Sequence, residues 1–342
     1  MFRLLKLALF FICRALGVFI IFRLATRSRI RILCYHGGCI KDENDFNPLL
    51  FCSQEAFRLR MNWLVKQGFN ILPLHDAVAS CKDKTSLPML PTVVTFDDGW
   101  YSTSASLLPV LKEMKLPSTL YLCTKHFIES GPVPDVAIRY IIWKSKKTKV
   151  ELAGLSSIVD GRYDLLSPEA RELLAKRVES WISQQAYNRQ DVTEALIEFG
   201  TCLNVTPDEV VFQSRRFDYM SSLEIKAAFD QGVTIELHGH DHHYPLADPI
   251  SLEQDIRKCT EVILGLGLPH PRHYCYPSGS FDSYAPMALK RIGVVSATTC
   301  KPGLISKPSR DDFYLIPRFV DGENISKLEF EAEMSGFTQF LR

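Results

Sequence analysis

Two carboxylates side by side, Asp97 and Asp98, follow the β-branched and apolar run 92–96 and precede Gly99. Such a run reads as a strand, so the pair stands at a strand's carboxyl end, where parallel α/β sheets gather their ligand-binding groups. Neighbouring side chains diverge, which lets one carboxylate hold a cation while the other faces a substrate as a base. Asp-Asp-Gly is equally a good turn, so the pair alone decides nothing. Four of the nine histidines, His238, His240, His242 and His243, fall within six residues directly after Ile235-Glu236-Leu237. His238 and His242 stand at i and i+4, which in a helical turn presents both imidazoles to one point, an arrangement a tetrahedral or octahedral cation accepts. A lone histidine is usually a hydrogen-bonded packing residue, whereas a cluster at a strand end points to metal. Neutral imidazoles with one carboxylate suit Zn²⁺, and Co²⁺, Ni²⁺ or Fe²⁺ by ligand type. A third element, Tyr274-Cys275-Tyr276-Pro277-Ser278-Gly279, reads as a strand ending in a Pro-x-Gly turn that can expose backbone N–H groups.

Elements able to position these groups are written along the chain as strands alternating with longer helical patterns. Strands are expected at 30–35, 69–74, 92–96, 118–123, 233–237 and 273–276, and helices at 53–66, 104–114, 221–230, 251–266 and 285–292. That alternation is βα rhythm and predicts an α/β fold with a parallel sheet. Residues 143–215 break it with a charged run (Lys144, Lys146, Lys147, Lys149) and two helical patterns at about 167–185 and 189–203, which predicts a helical insertion. The 342 residues divide into roughly two domains at about 150 each. With 46% hydrophobic and 23% charged residues the chain can build a sizeable core, which excludes the disordered, collagenous and small disulfide-scaffold classes. Forty Lys plus Arg nearly cancel 39 Asp plus Glu, so no net positive field exists to hold a nucleic acid, and none is expected as a partner. Ten scattered cysteines contain no Cys-x-x-Cys pair and read as packing residues of a reducing compartment.

Residues 4–22 form an apolar stretch near the length of a membrane span, but Lys6 and Arg14 interrupt it. Arg14 at mid-span costs about 3 kcal/mol on translocon-type scales. Arg3, Lys6 and Arg14 share one narrow sector of a helical wheel, so an amphipathic helix lying in the membrane interface rivals a spanning anchor. Residues 1–27 are therefore expected to bind membrane and to be retained, since no cleavage site follows. Arg23, Arg27, Arg29 and Arg31, against Arg3 and Lys6, favour the cytoplasmic face for the globular part if the segment spans.

These motifs carry a resemblance. Thr95-Phe96-Asp97-Asp98-Gly99 is similar to the first motif of polysaccharide deacetylases, carbohydrate esterases with the NodB-homology domain, and His238-x-x-x-His242 resembles the second. Tyr276-Pro277-Ser278-Gly279 resembles a variant third motif, Leu33-Cys34-Tyr35-His36 the first strand, and Leu315-Ile316-Pro317-Arg318 the closing one. The resemblance covers roughly residues 30–320. It implies a deformed (β/α) barrel of about seven parallel strands, spanning 28–342, that uses a divalent metal to remove acyl groups from amino sugars. Carried onto this sequence, Asp98, His238 and His242 are the metal ligands, zinc first with cobalt or nickel as alternatives, and Asp97 is the base that activates a metal-bound water. Chemistry agrees, because a divalent cation lowers the pKa of water from 15.7 to roughly 7. The oxyanion would be held by the metal and by a backbone N–H, that of Ser278 in the Tyr276, Pro277, Ser278, Gly279 turn. If His240 were the first ligand, Tyr244 would fall at i+4 and the second imidazole would be lost, so the His238/His242 register is preferred.

Two departures from the family pattern stand out. The family's base-orienting Arg falls at Cys275, leaving Arg318 as its candidate replacement, and no histidine follows His273 to supply the usual distal acid. His240 and His36 are the candidate acids. The expected function is deacetylation of an N-acetylated sugar in a glycan or lipid-linked saccharide. The alternative is a catalytically weak or inactive glycan-binding protein on the same fold, and a third reading is a metal-buffering His-rich loop.

Overall fold

Apolar and β-branched runs that lack polar alternation fold as strands covered on both faces, as parallel strands must be. In the computed structural model, which describes residues 2–125, 127, 131–185, 188–210, 212–306 and 312–342, eight such strands form the main sheet. They are β1 (Arg31–Tyr35), β2 (Asn70–Ile71), β3 (Pro91–Asp98), β4 (Ser118–Leu122), β5 (Val233–Leu237), β6 (His273–Cys275), β7 (Ser296–Thr298) and β8 (Phe319–Val320). Seven run side by side in the order β7-β6-β5-β4-β3-β1-β8, all parallel, with β2 paired to the start of β3. The sheet curls, and the segment 316–320 spans its two edges. Ile316 bonds Ala297 of β7 and Thr299 just beyond it, Arg318 N–H reaches the Lys301 carbonyl, and Phe319 and Val320 pair with Leu33 and Cys34 of β1. The expected deformed (β/α) barrel of about seven strands is therefore the fold.

Helices at Gln54–Lys66, Ser222–Asp230, Pro249–Gly265 and Ala285–Arg291 stand close to the expected positions. The strand expected at 69–74 shrinks to Asn70–Ile71, because Pro73 has no N–H for the ladder and instead opens the helix Leu74–Asp83. The helix expected at 104–114 begins as a π-helical turn, Thr103–Leu107, ahead of Leu108–Met114. Pro109 cannot donate to the Ala105 carbonyl, and the wider turn absorbs that gap.

Between β4 and β5 lie helices Pro134–Lys144, Pro168–Gln185 and Arg189–Cys202, together with an antiparallel hairpin, Lys149–Leu152 with Gly161–Asp164, that the sequence did not announce. Ile138, Ile141, Leu174, Val178, Leu196 and Phe199 share one buried cluster there. The same cluster takes in Phe51, Trp100 and Tyr219, so this layer packs against the barrel's mouth. Arg216, 1% exposed, ties the two together through Glu43 Oε1 at 2.6 Å and through Asp42.

The apolar run 4–22 is not one helix. It forms Phe2–Ala15 and Val18–Ala25, bent by 79° at Gly17, whose φ of +74° suits glycine. Among the described residues no single helix is long and apolar enough to cross a membrane.

Breaking a buried ion pair by removing one partner leaves an uncompensated charge. Arg216→Met should therefore lower unfolding stability by about 3–5 kcal/mol, read as a fall in the denaturant midpoint. Adding Glu43→Gln should recover part of it, and a loss under about 1 kcal/mol in the single variant would show the pair to be peripheral.

Candidate active site

Strand alternation assigns the two carboxylates different surroundings. Thr95 and Asp97 point into the barrel, where Asp97 is 1% exposed, while Phe96 packs outward against Tyr35 and Phe57. Asp98 should follow Phe96 outward, but its backbone turns left-handed, with φ +72°. The ladder continues past the strand ends, with Cys123 N–H donating to the Asp98 carbonyl and His238 N–H to the Leu122 carbonyl, which sets β3, β4 and β5 so that Asp98 meets His238.

Asp98 Oδ1 lies 3.2 Å from His238 Nε2 and 3.2 Å from His242 Nε2. Its other oxygen accepts from the Trp100 indole N–H at 2.8 Å, so Oδ1 is buried with no hydrogen-bond donor of its own. His238 Nδ1 faces the Cys275 carbonyl at 2.9 Å. A carbonyl only accepts, so Nδ1 carries the hydrogen and Nε2 turns its lone pair toward Asp98. Metal–ligand bonds of about 2.0–2.2 Å in tetrahedral geometry place ligand atoms about 3.3 Å apart, and both separations from Asp98 Oδ1 fit that value. The fit extends to chemistry, since two imidazole nitrogens and one carboxylate oxygen make an open set for a divalent cation.

His238 and His242 do not reach this point on a helix. The loop between them turns back through Gly239, at φ +82°, and His242, at φ +53°. Asp255, on the helix Pro249–Gly265, holds it by accepting from the His240 and Asp241 backbone N–H groups, both at 2.8 Å. Left-handed conformations at non-glycine residues cost of order 1–3 kcal/mol and persist where surroundings enforce them. Of the nine described non-glycine residues at positive φ, two, Asp98 and His242, stand at the candidate cation position, and a third, Ser278, lies in the third motif.

Arg318 fills the barrel beside Asp97. Its Nη1 and Nη2 each lie 2.7 Å from one carboxylate oxygen, and its remaining donors go to Thr95 Oγ1, Cys275 Sγ and the Thr299 carbonyl. Burial alone would push the Asp97 carboxyl up, but Arg318 outweighs it and holds the group well below the usual carboxylate range. Asp98 is likewise held well below that range against its burial, by His242. Burial would lower His242, yet Asp98 outweighs it and raises it.

The other expected residues separate. His36 follows the Tyr35–Phe96 pair, stands beside Asp97 with Cys34, and leaves its Nδ1 buried without a hydrogen-bond partner. His240 turns the other way. Its Nδ1 meets Thr124 Oγ1 at 2.8 Å, and its pKa is lowered by burial and Lys258. Tyr244 donates to Asp282, so neither member of the alternative His240/Tyr244 register faces Asp98. In the third motif, Tyr276 is committed to structure, donating its hydroxyl to the Tyr314 carbonyl and its N–H to Thr298. Pro277 is buried, and Gly279, at φ +66°, would hold a Cβ only tightly against Cys300. Ser278 is exposed, and among the described residues its N–H meets no acceptor. Trp100 and Asp255 were not found from the sequence. Trp100 follows the Asp-Asp-Gly turn directly and could have been flagged, whereas nothing local marks Asp255.

Comparison with known proteins bears on the fold that carries this geometry. The family model for polysaccharide deacetylase matches residues 88–150 and 208–297. No match was found among curated proteins. Among solved structures, the Streptococcus pyogenes deacetylase PplD in complex with acetate is 12% identical, with 90% of this chain and 99% of that one covered at a TM-score of 0.58. IcaB from Ammonifex degensii is 15% identical, with 90% and 97% covered at 0.54. A de-N-acetylase from Aggregatibacter actinomycetemcomitans is 15% identical, with 89% and 99% covered at 0.54. At these identities the likeness is one of fold.

Metal content should follow the geometry. Purified protein should bind one Zn²⁺, and His240→Ala should keep it while Asp98→Ala, His238→Ala and His242→Ala lose it, as read by elemental analysis after dialysis. Trp100→Phe should weaken binding by about 10–100-fold. Protons compete with the cation for His242, so affinity measured by calorimetry should rise with pH through the raised His242 pKa and then level off. The His242–Asp98 pair of the metal-free protein should show the opposite sign. Its stabilisation is present below the ordinary histidine value of about 6.5 and is lost as pH rises through the raised one.

Proposed function

From the match of the polysaccharide deacetylase family model to residues 88–150 and 208–297 and from this site, we propose that the chain is a member of that family and hydrolyses N-acetyl groups on amino sugars of a glycan or lipid-linked saccharide, using one divalent cation, zinc before cobalt or nickel. The observation that carries the reading is the convergence of Asp98 Oδ1, His238 Nε2 and His242 Nε2 beside a second carboxylate that Arg318 keeps ionised. A cation bound there supplies an acidified water and polarises the acyl carbonyl.

The protein's own groups then take distinct roles. Asp98, His238 and His242 hold the cation, with Trp100 and the Cys275 carbonyl fixing the carboxylate and one imidazole. Asp97 receives the proton of the attacking water. Because Arg318 grips both of its oxygens, it stays deprotonated throughout the neutral range and keeps one orientation. Arg318 thus acts through Asp97, as the base-orienting Arg that the third motif lacks. The exposed Ser278 N–H is the donor for the oxyanion that develops as the carbonyl is attacked. Deacetylation must end with a proton on the departing amine, and His36 is the residue for it, with a buried unpartnered Nδ1 on the Asp97 side of the site. His240, tied to Thr124, is not.

Acetate release from N-acetylglucosamine oligomers by the zinc-loaded protein tests the reading. Asp97→Asn should cut kcat by about 10²–10⁴-fold while metal content stays at one. His36→Gln should lower kcat by about 10²–10⁴-fold while metal content stays at one, because the departing amine then lacks its proton donor. A zinc-loaded wild type that binds oligomers but releases no acetate would make the chain a glycan-binding protein.

A further inference from the structure

The N-terminal helix pair is amphipathic the wrong way round for a soluble protein. Its charged side is the one turned inward. Arg3 Nη2 lies 2.9 Å from Glu329 Oε2, Lys6 Nζ 3.2 Å from Glu329 Oε1, and Arg14 Nε 2.9 Å from Glu331 Oε2. Both glutamates belong to the helix Lys327–Ser335 on the barrel's flank, and their side chains are 8% and 5% exposed. Phe10 and Phe19 go in with the charges and pack edge-on against each other and around Phe337. The outer side is apolar. Leu4, Leu5, Ile12, Leu16, Ile20 and Ile21 are between 54 and 73% exposed, a clustering of exposed apolar side chains that marks an interaction surface.

We propose that this outer face is a lipid-binding surface, lying in the interface of an anionic bilayer and clamped to the barrel by the ion pairs of Arg3, Lys6 and Arg14 with the nearly buried Glu329 and Glu331. The occupant follows from length and charge. Fourteen residues rise about 21 Å and eight about 12 Å, and a 79° bend leaves neither helix able to cross an apolar layer of about 30 Å. Drawing the first helix off the barrel into a span would break the three ion pairs and leave the nearly buried Glu329 and Glu331 without those cations. At the exit of the second helix stand Arg23, Arg27 and Arg29, and among the described residues none of them pairs with a carboxylate. Arginines beside an apolar face match a surface of anionic headgroups. The surface is independent of the deacetylase reading.

Full-length protein is mixed with vesicles of phosphatidylcholine and phosphatidylglycerol at 3:1, or of phosphatidylcholine alone, and sedimented. Binding should be at least tenfold tighter to the anionic vesicles, and Leu16→Asp with Ile20→Asp should weaken it at least tenfold. Both positions are exposed, so the circular dichroism melt of the double variant should match wild type. Alkaline carbonate should strip the bound protein. Equal binding to both vesicles, undiminished binding by the double variant, or resistance to carbonate would overturn the proposal. So would light scattering that shows a dimer dissolved by the double variant, without vesicle binding, which would make the occupant a second copy.

Discussion

A guanidinium with no exposed surface sits at the centre of this barrel, and its pairing with Asp97 is the constraint from which both closure and chemistry follow. A buried charge is tolerable only when it is paired and its remaining donors are satisfied. Arg318 meets that condition from one position, with two donors on Asp97 and three on Thr95, Cys275 and Thr299. The residue belongs to the segment that spans β7 and β1, while Asp97 belongs to β3. The ion pair therefore reaches across the barrel from its closing seam. A shift in the seam's register would move the guanidinium away from the carboxylate, so closing the fold and orienting the base are one event.

The same pair divides labour between adjacent carboxylates. Two aspartates in sequence would repel if they shared one environment. Arg318 takes the first into the barrel, and the left-handed turn at Asp98 sends the second toward His238 and His242. The strain at Asp98 and His242 is held by ladder bonds on one side and by Asp255 and Trp100 on the other. Trp100 apart, the groups that fix the candidate ligands, Cys123, the Cys275 carbonyl and Asp255, come from other parts of the chain, so the arrangement exists only once the barrel has formed.

This dependence explains how far the sequence could be read. Strands such as 92–96 and 233–237 are legible because burial on both faces demands unbroken apolar runs, and Asp97, Asp98 and His238 follow them directly. The i, i+4 spacing of His238 and His242 is legible for the wrong reason, since a left-handed loop rather than a helical turn brings the two rings together. Arg318 was nameable as a substitute only through its place in the closing segment, and the Cys275 position it serves lies 43 residues away. Asp255 and the 149–164 hairpin carried no local signal. A carboxylate on a helix face looks the same whether it meets solvent or caps a neighbouring loop.

The N-terminal pair shows the limit most plainly. A helical wheel separates Arg3, Lys6 and Arg14 from the leucines and isoleucines, and that separation is real. Periodicity fixes which residues share a face and leaves the direction of each face to the partner. Here the partner is a pair of glutamates more than 300 residues away, on the last helix of the chain, where Glu329 and Glu331 lie nearly buried. Once those carboxylates draw the basic side inward, the apolar side has only the outside left to it. The polarity of the whole anchor is decided by two acidic residues that no local reading of the N-terminus contains.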